Sequence, residues 1–178
     1  MGTDKRLLRK EIRARLLQLM PEEKVVRGKA FCNGIKEHPA VCGARVVALF
    51  SPLADEPQIA ALVSELSKEK QVVLPRVYGD VMQFYIYNQE CMSVGAFGIL
   101  EPSAGKPVSP CDIDVMVVPG VAFTSCGNRM GRGKGFYDKY MSQCGFRAFK
   151  LGVCYLEQLV DELPVEQHDI KMDAVIYE

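Results

Sequence analysis

The stretch VVALFSPLADEPQIAALVSELSKEKQVVL, residues Val46 to Leu74, decides the reading of the fold. Val46 to Phe50 is a continuous apolar run, and at that length it reads as a strand buried on both faces, since a half-exposed strand would alternate. Beyond Pro57, the residues Ile59, Leu62, Val63 and Leu66 recur at helical spacing, and Val72-Val73-Leu74 forms a second short apolar run. Strand, helix and strand in so short a span make a β-α-β unit, and with it a parallel sheet.

Toward the N-terminus, Thr3 and Asp4 are placed to cap a helix running to about Met20, with Leu8, Ile12, Leu16 and Leu19 on one stripe. Pro21 suits the first turn of a second helix carrying Val25, Val26, Ala30, Phe31 and Ile35. Toward the C-terminus, Phe84 to Tyr87 reads as a strand, and Gly95 to Pro110, rich in glycine, proline and serine, as a loop. Val115 to Val118 is a strand that ends at Pro119-Gly120. Phe136 to about Cys144 reads as a short helix, with strands at Phe149 to Val153 and Ala174 to Tyr177. The expectation is one α/β domain over residues 1–178, a three-layer arrangement with helices on both faces of a mainly parallel sheet. Such sheets bind ligands at the carboxyl ends of their strands.

The 178 residues are 48% hydrophobic and 25% charged, which excludes a disordered chain. Lysine plus arginine (22) balance aspartate plus glutamate (22), so no global basic field draws the chain to nucleic acid, and any anion site must be local. The cysteines, at 32, 42, 91, 111, 126, 144 and 154, are odd in number and form no Cys-x-x-Cys pair. They read as reduced thiols of a cytoplasmic protein. His38 and His168 are too few for a histidine-rich metal site. No apolar run approaches a bilayer span and no signal peptide is expected, so membrane partners are excluded from the reading.

Arg129 to Tyr140 reads RMGRGKGFYDKY. Gly131, Gly133 and Gly135 leave the backbone N–H groups free to approach an anion, and Arg129, Arg132 and Lys134 add charge, so the loop suits a polyphosphate. The known motifs fail, however. A Walker A loop needs glycine at Asn128 and Ser or Thr at Gly135, and the dinucleotide fingerprint needs glycine at Phe136. Spacing alone leaves two alternatives, a phosphate cradle and a solvated basic turn. Asp138 is either a magnesium ligand or a first-turn aspartate favoured by the helix dipole. Lys5, Arg9 and Arg13 stack at i, i+4 as a solvated face, or as a second basic row converging on the same anion. Glu166 to Asp169 is a second source of carboxylates or an ordinary surface loop. Glu56, after Ser51-Pro52-Leu53-Ala54-Asp55, either caps the following helix or accepts hydrogen bonds from a nitrogen-rich ring.

Four segments in order, KRLLRKEI (residues 5–12), ALFSPLADE (48–56), PGVAFTSCGNRMGRGKGFYDKY (119–140) and LPVEQHDIKMDAVIYE (163–178), resemble the 5-formyltetrahydrofolate cyclo-ligase family, also called methenyltetrahydrofolate synthetases. The resemblance spans nearly the whole chain, Val77 to Cys111 being its least informative part. It implies an ATP- and magnesium-dependent enzyme that closes 5-formyltetrahydrofolate to 5,10-methenyltetrahydrofolate. ADP and phosphate are the other products, and the fold implied is of the sugar-phosphate isomerase and coenzyme A transferase class.

The same resemblance implies roles. Lys5 and Arg9 touch ATP phosphates, Arg9 also lying near the folate. Arg129, Gly131, Arg132, Gly133, Lys134, Gly135, Phe136 and Tyr137 wrap the nucleotide, and Asp138 and Asp169 hold Mg2+. Ser51 and Glu56 line the folate pocket, with Glu56 facing the polar edge of the pterin, and Arg132 to Phe136 face the reacting groups, Arg132 and Lys134 as the catalytic pair. The chain departs from the family's usual residues at Met130, Thr124 and Phe136, where leucine, aspartate and tyrosine are commoner, and Lys134 stands where many members have glycine. A small-molecule substrate and a monomer are expected. Two rivals remain: a sugar-phosphate isomerase, which needs no ATP, and a single-strand nucleic-acid module stacking bases on Phe136 and Tyr137.

Overall fold

The Asp4 carboxylate accepts a hydrogen bond from the Arg6 N–H at 2.8 Å and caps α1 (Lys5–Leu16), which buries Leu8, Ile12 and Leu16. Thr3, the other expected cap, lies outside residues 4–95 and 97–178, which the computed structural model describes. The helix ends at Leu16 instead of near Met20. Met20 precedes a proline, which disfavours helical backbone, and its ψ is +147°. α2 (Pro21–Glu37) buries Gly28, Phe31, Cys32 and Ile35, while Val25 and Val26, expected on that stripe, are exposed. At about 100° per residue, Val26 falls nearly opposite Gly28 and Val25 on the flank. A short α3 (Pro39–Gly43) was not foreseen; the His38 Nδ1 accepts from the Ala40 N–H at 3.2 Å and starts it.

The β-α-β unit forms as expected from β1 (Val46–Ala48), α4 (Ala60–Leu66) and β2 (Gln71–Tyr78), with β1 and β2 parallel in the register Val47 to Val72. The ladder of β1 stops at Ala48, although Leu49 and Phe50 stay buried and the Leu49 N–H still donates to the Val73 carbonyl at 3.0 Å. β2 turns at Gly79, at φ +55°, into the antiparallel β3 (Val81–Ile86). β4 (Met92–Val94) precedes the expected loop of Gly95 to Pro110, and part of that loop is strand, β5 (Leu100–Pro102), which pairs with β4. β6 (Val115–Val118) leads to a small hairpin of β7 (Ala122–Phe123) and β8 (Arg129–Met130), also not foreseen. α5 (Phe136–Met141), β9 (Phe149–Cys154) and β10 (Ala174–Tyr177) complete the chain.

The six-stranded sheet has the order β10-β9-β6-β1-β2-β3, all parallel except the β3 edge. Alternate residues part to its two faces. Val47, Leu49, Val72, Leu74, Val115 and Val117 pack with α1 to α4, whereas Ala48, Val73, Met116 and Val118 pack with Tyr140 and Met141 of α5. The α/β architecture with helices on both faces is therefore present, with α1 to α4 on one side and α5 on the other. The chain builds outward from β1 through β2 to β3, then returns to lay β6 on the other side of β1. The carboxyl ends of β1 and β6 thus flank the switch in strand order, where open α/β sheets leave a crevice.

Candidate active site

Beyond the end of β1, the chain turns through Ser51 to Glu56. The Ser51 hydroxyl donates to the Leu100 carbonyl at 2.7 Å, fastening this turn to β5. Glu56, buried at 5% exposure, does not cap α4: its carboxylate accepts from the Leu53 N–H at 2.9 Å and from Arg132 Nε and Nη2 at 3.1 and 3.0 Å. Burial lifts the Glu56 carboxyl above its usual range, and the Leu53 N–H and Arg132 hold it back. Arg132 also forks onto Asp55, with Nη1 at 3.1 Å from one oxygen and Nη2 on the other. Burial disfavours the Arg132 charge, but the two carboxylates outweigh it and raise the pKa of the guanidinium.

Beyond the end of β6, the β7–β8 hairpin delivers the glycine loop. Thr124, where aspartate is commoner in the family it resembles, serves the hairpin turn, its hydroxyl accepting from the Asn128 N–H at 3.0 Å, and Met130 is buried in the core. Arg129 is buried, its Nη1 donating to the Pro119 carbonyl at 3.3 Å and its Nη2 to Asp138 at 3.0 Å. Among the described residues its Nε has no hydrogen-bond partner, and its guanidinium lies 5.6 Å from the centroid of the Tyr137 ring. Desolvation lowers the Arg129 pKa against the pull of Asp138, and burial raises that of the Tyr137 hydroxyl. The second Asp138 oxygen accepts from the Ile170 N–H at 3.0 Å, which sets Asp138 beside the Asp169 segment.

Gly133 and Gly135 have φ of +105° and +68°, a backbone that L side chains rarely adopt. α1 crosses this loop. Arg9 Nε donates to the Gly131 carbonyl at 2.9 Å, and Lys5 Nζ lies 2.9 Å from Asp169 and 3.1 Å from Glu166. Burial opposes the Asp169 charge, but the Lys5 ammonium and the Glu166 N–H prevail and hold its carboxyl below the usual range. Arg13, on the same row, acts on Asp55. The two basic segments of the sequence therefore meet. Lys134 is exposed and, among the described residues, has no hydrogen-bond or ion-pair partner.

Under the loop lies a cavity of about 160 Å3, mostly apolar, with Phe50, Val77, Ile99 and Phe136 among its walls. That is about the volume that takes up an aromatic ring. Ser51, Glu56, Arg132, Lys134, Gly135 and Phe136 border it, as do Arg129, Tyr137 and Asp138, so most of the expected binding residues share one pocket. Lys5, Arg9 and Asp169 stand off its walls, on the α1 side of the loop. Phe97 closes one side, its ring 6.4 Å from that of Phe136, and Glu101 stands in the same wall. Sequence reasoning missed Phe97, Ile99 and Glu101, because they sit in the stretch read as loop; the only signal was the acid that follows the apolar pair Ile99-Leu100.

An α/β fold with an apolar pocket at the switch in strand order, its mouth ringed by cations and glycines, defines an enzyme-like ligand-binding protein. A model of the 5-formyltetrahydrofolate cyclo-ligase family matches residues 1–178. The 5-formyltetrahydrofolate cyclo-ligase of Escherichia coli K12 is 31% identical over 173 residues, covering 93% of this chain and 95% of that protein. The solved structure of Aquifex aeolicus 5,10-methenyltetrahydrofolate synthetase is similar at a TM-score of 0.88 and 36% identity, covering 97% of this chain and 89% of the other. The Mycoplasma pneumoniae 5,10-methenyltetrahydrofolate synthetase gives a TM-score of 0.78 at 25% identity over 98% of both chains. The chain belongs to the 5-formyltetrahydrofolate cyclo-ligase family, and is by that membership an enzyme of the ligase class. Among the described residues, no helix is long and apolar enough to cross a membrane.

Proposed function

We propose that the protein converts 5-formyltetrahydrofolate and ATP into 5,10-methenyltetrahydrofolate, ADP and phosphate, acting with Mg2+ as a cytoplasmic monomer. The observation that carries this reading is the contact of Arg9 with the Gly131 carbonyl, which joins the two basic segments at the mouth of the apolar pocket. Family membership supports the folate substrate.

The residues present fit a magnesium nucleotide. Two glycines at positive φ leave the loop backbone open to phosphate oxygens, and Lys134 is an exposed cation beside them, without an ion-pair partner among the described residues. Asp138 and Asp169, on adjoining segments, are the one or two carboxylates that a magnesium ion uses when phosphates and water complete its shell. Bound there, the magnesium nucleotide supplies a γ-phosphoryl group.

A formamide carbonyl is a poor electrophile and its oxygen a poor leaving group, so transferring phosphoryl to that oxygen answers both needs. N10 then attacks the activated carbon, the oxygen leaves as phosphate, and N10 gives up its proton. Such chemistry asks the protein for positioning and charge neutralisation rather than a covalent nucleophile. Lys5, Arg9 and Lys134 hold phosphate oxygens. Arg132, tethered by Asp55 and Glu56, orients its charge toward the reacting oxygen, and Ser51, Glu56 and Phe136 enclose the folate ring and exclude water.

The test mixes the protein with 5-formyltetrahydrofolate, Mg2+ and ATP and follows the near-ultraviolet absorbance of the methenyl product. Product should form only with ATP, and Lys134→Ala should raise the KM for ATP without changing the melting temperature. No product, or equal rates without ATP, overturns the reading; unchanged kinetics in the variant remove Lys134 from the cradle.

A further inference from the structure

Glu101 is a pocket-lining acid that the proposed reaction leaves unused. It sits in the middle of β5, paired across the hairpin with Ser93, and is 5% exposed. The hairpin makes room for it: a Cβ at Gly95 would come within 2.2 Å of a Glu101 carboxylate oxygen. Its setting differs from that of Glu56. The carboxylate of Glu56 is engaged by Arg132 and by the Leu53 N–H. Among the described residues Glu101 has no ion-pair partner; it faces the Val77 N–H and feels Arg76 without contact, the Arg76 guanidinium lying 4.3 Å from the centroid of the Tyr78 ring. Burial raises the Glu101 carboxyl above its usual range.

A buried carboxylate with no cation is costly, and a fold that keeps one in a ligand pocket has acceptor capacity aimed at the ligand. The pocket walls are apolar, so the ligand that fits is a flat ring carrying N–H donors on one edge. A carboxylate takes two parallel N–H groups as a fork. The aminopyrimidinone edge of a tetrahydropterin, with its 2-amino group and N3–H, presents that pair.

We propose that Glu101 is a second substrate-recognition carboxylate, accepting hydrogen bonds from the N–H edge of the pterin ring, which Glu56, held by Arg132, leaves unserved. The inference rests on the folate reading of the site. It leaves Glu56 to its bonds with Arg132 and the Leu53 N–H and gives the N–H edge of the ring to Glu101.

Calorimetric titration without ATP tests it, using 5-formyltetrahydrofolate and its 2-desamino analogue against the wild type and Glu101→Gln. The variant keeps the shape of the side chain but loses the charge. It should bind 5-formyltetrahydrofolate about 10-fold more weakly or worse, the cost of a hydrogen bond to a charged group, and lose less affinity for the desamino analogue, which keeps N3–H but has no 2-amino group to lose. Its affinity for magnesium ATP should not change. If the variant binds 5-formyltetrahydrofolate as well as the wild type, or loses both ligands equally, Glu101 is structural and the inference is overturned. If the wild type binds neither folate, the proposed function falls and the inference with it.

Discussion

Asp138 holds two structural bonds as well as standing where a magnesium ligand is proposed. Its oxygens separately engage the buried Arg129 guanidinium and the Ile170 N–H. Among the described residues Arg129 already has one nitrogen unpartnered and Asp138 as its only ion-pair partner. Replacing the acid by its amide leaves a buried cation uncompensated, which costs about 3 kcal/mol. Asp138→Asn should therefore lower the urea midpoint as well as raise the Mg2+ requirement. An unchanged midpoint would mean that Arg129 finds another partner, and overlaid magnesium titrations would remove Asp138 from the metal site.

At the scale of elements, α2 shows how packing overrides propensity. Glycine within a helix costs about 0.5–1 kcal/mol relative to alanine, so Gly28→Ala would ordinarily stabilise. Here the new Cβ would lie 2.8 Å from the Gln58 carbonyl oxygen in the chain leading to α4, and neither backbone can yield without moving the other. The expected outcome is a loss of about 1–3 kcal/mol by denaturant unfolding, and a gain would show that α2 shifts freely. The same contrast marks what was legible beforehand. β1, α4, β2 and β6 were readable because buried parallel strands are continuous apolar runs and helices repeat near 3.6 residues. β5, β7, β8 and α3 are two to five residues long and owe their form to the partners they meet, so no period announces them. In the site, the cations and glycines of Arg129 to Gly135 could be read off the chain. The burial of Arg129 against Asp138, and the entry of Glu101 into the pocket, depend on tertiary neighbours.

For the whole molecule, two sets of carboxylates pull stability in opposite directions with pH. Asp114 accepts from the Val46 and Arg45 N–H groups at the start of the sheet, and those bonds hold it below its usual range against a smaller desolvation. Asp55 and Asp169 are also held low, because Arg132 and Lys5 outweigh their desolvation. A folded pKa below the unfolded one gives stability that is present above about 3.9, the ordinary aspartate value, and lost as pH falls through the folded values. Glu56 and Glu101 are raised by burial, so their contribution is greatest below about 4.3, the ordinary glutamate value, and is lost as pH rises through the folded values. Between pH 3 and 8 the melting temperature should thus be highest at about pH 4, between those two ordinary values, falling steeply in acid and gently toward neutrality. Asp114→Asn should flatten the acid limb, and Glu101→Gln should raise the melting temperature more at pH 7 than at pH 4. A wild-type curve still climbing from pH 5 to 8, or a Glu101→Gln curve parallel to it, would show that the pocket acids are not held against their charge.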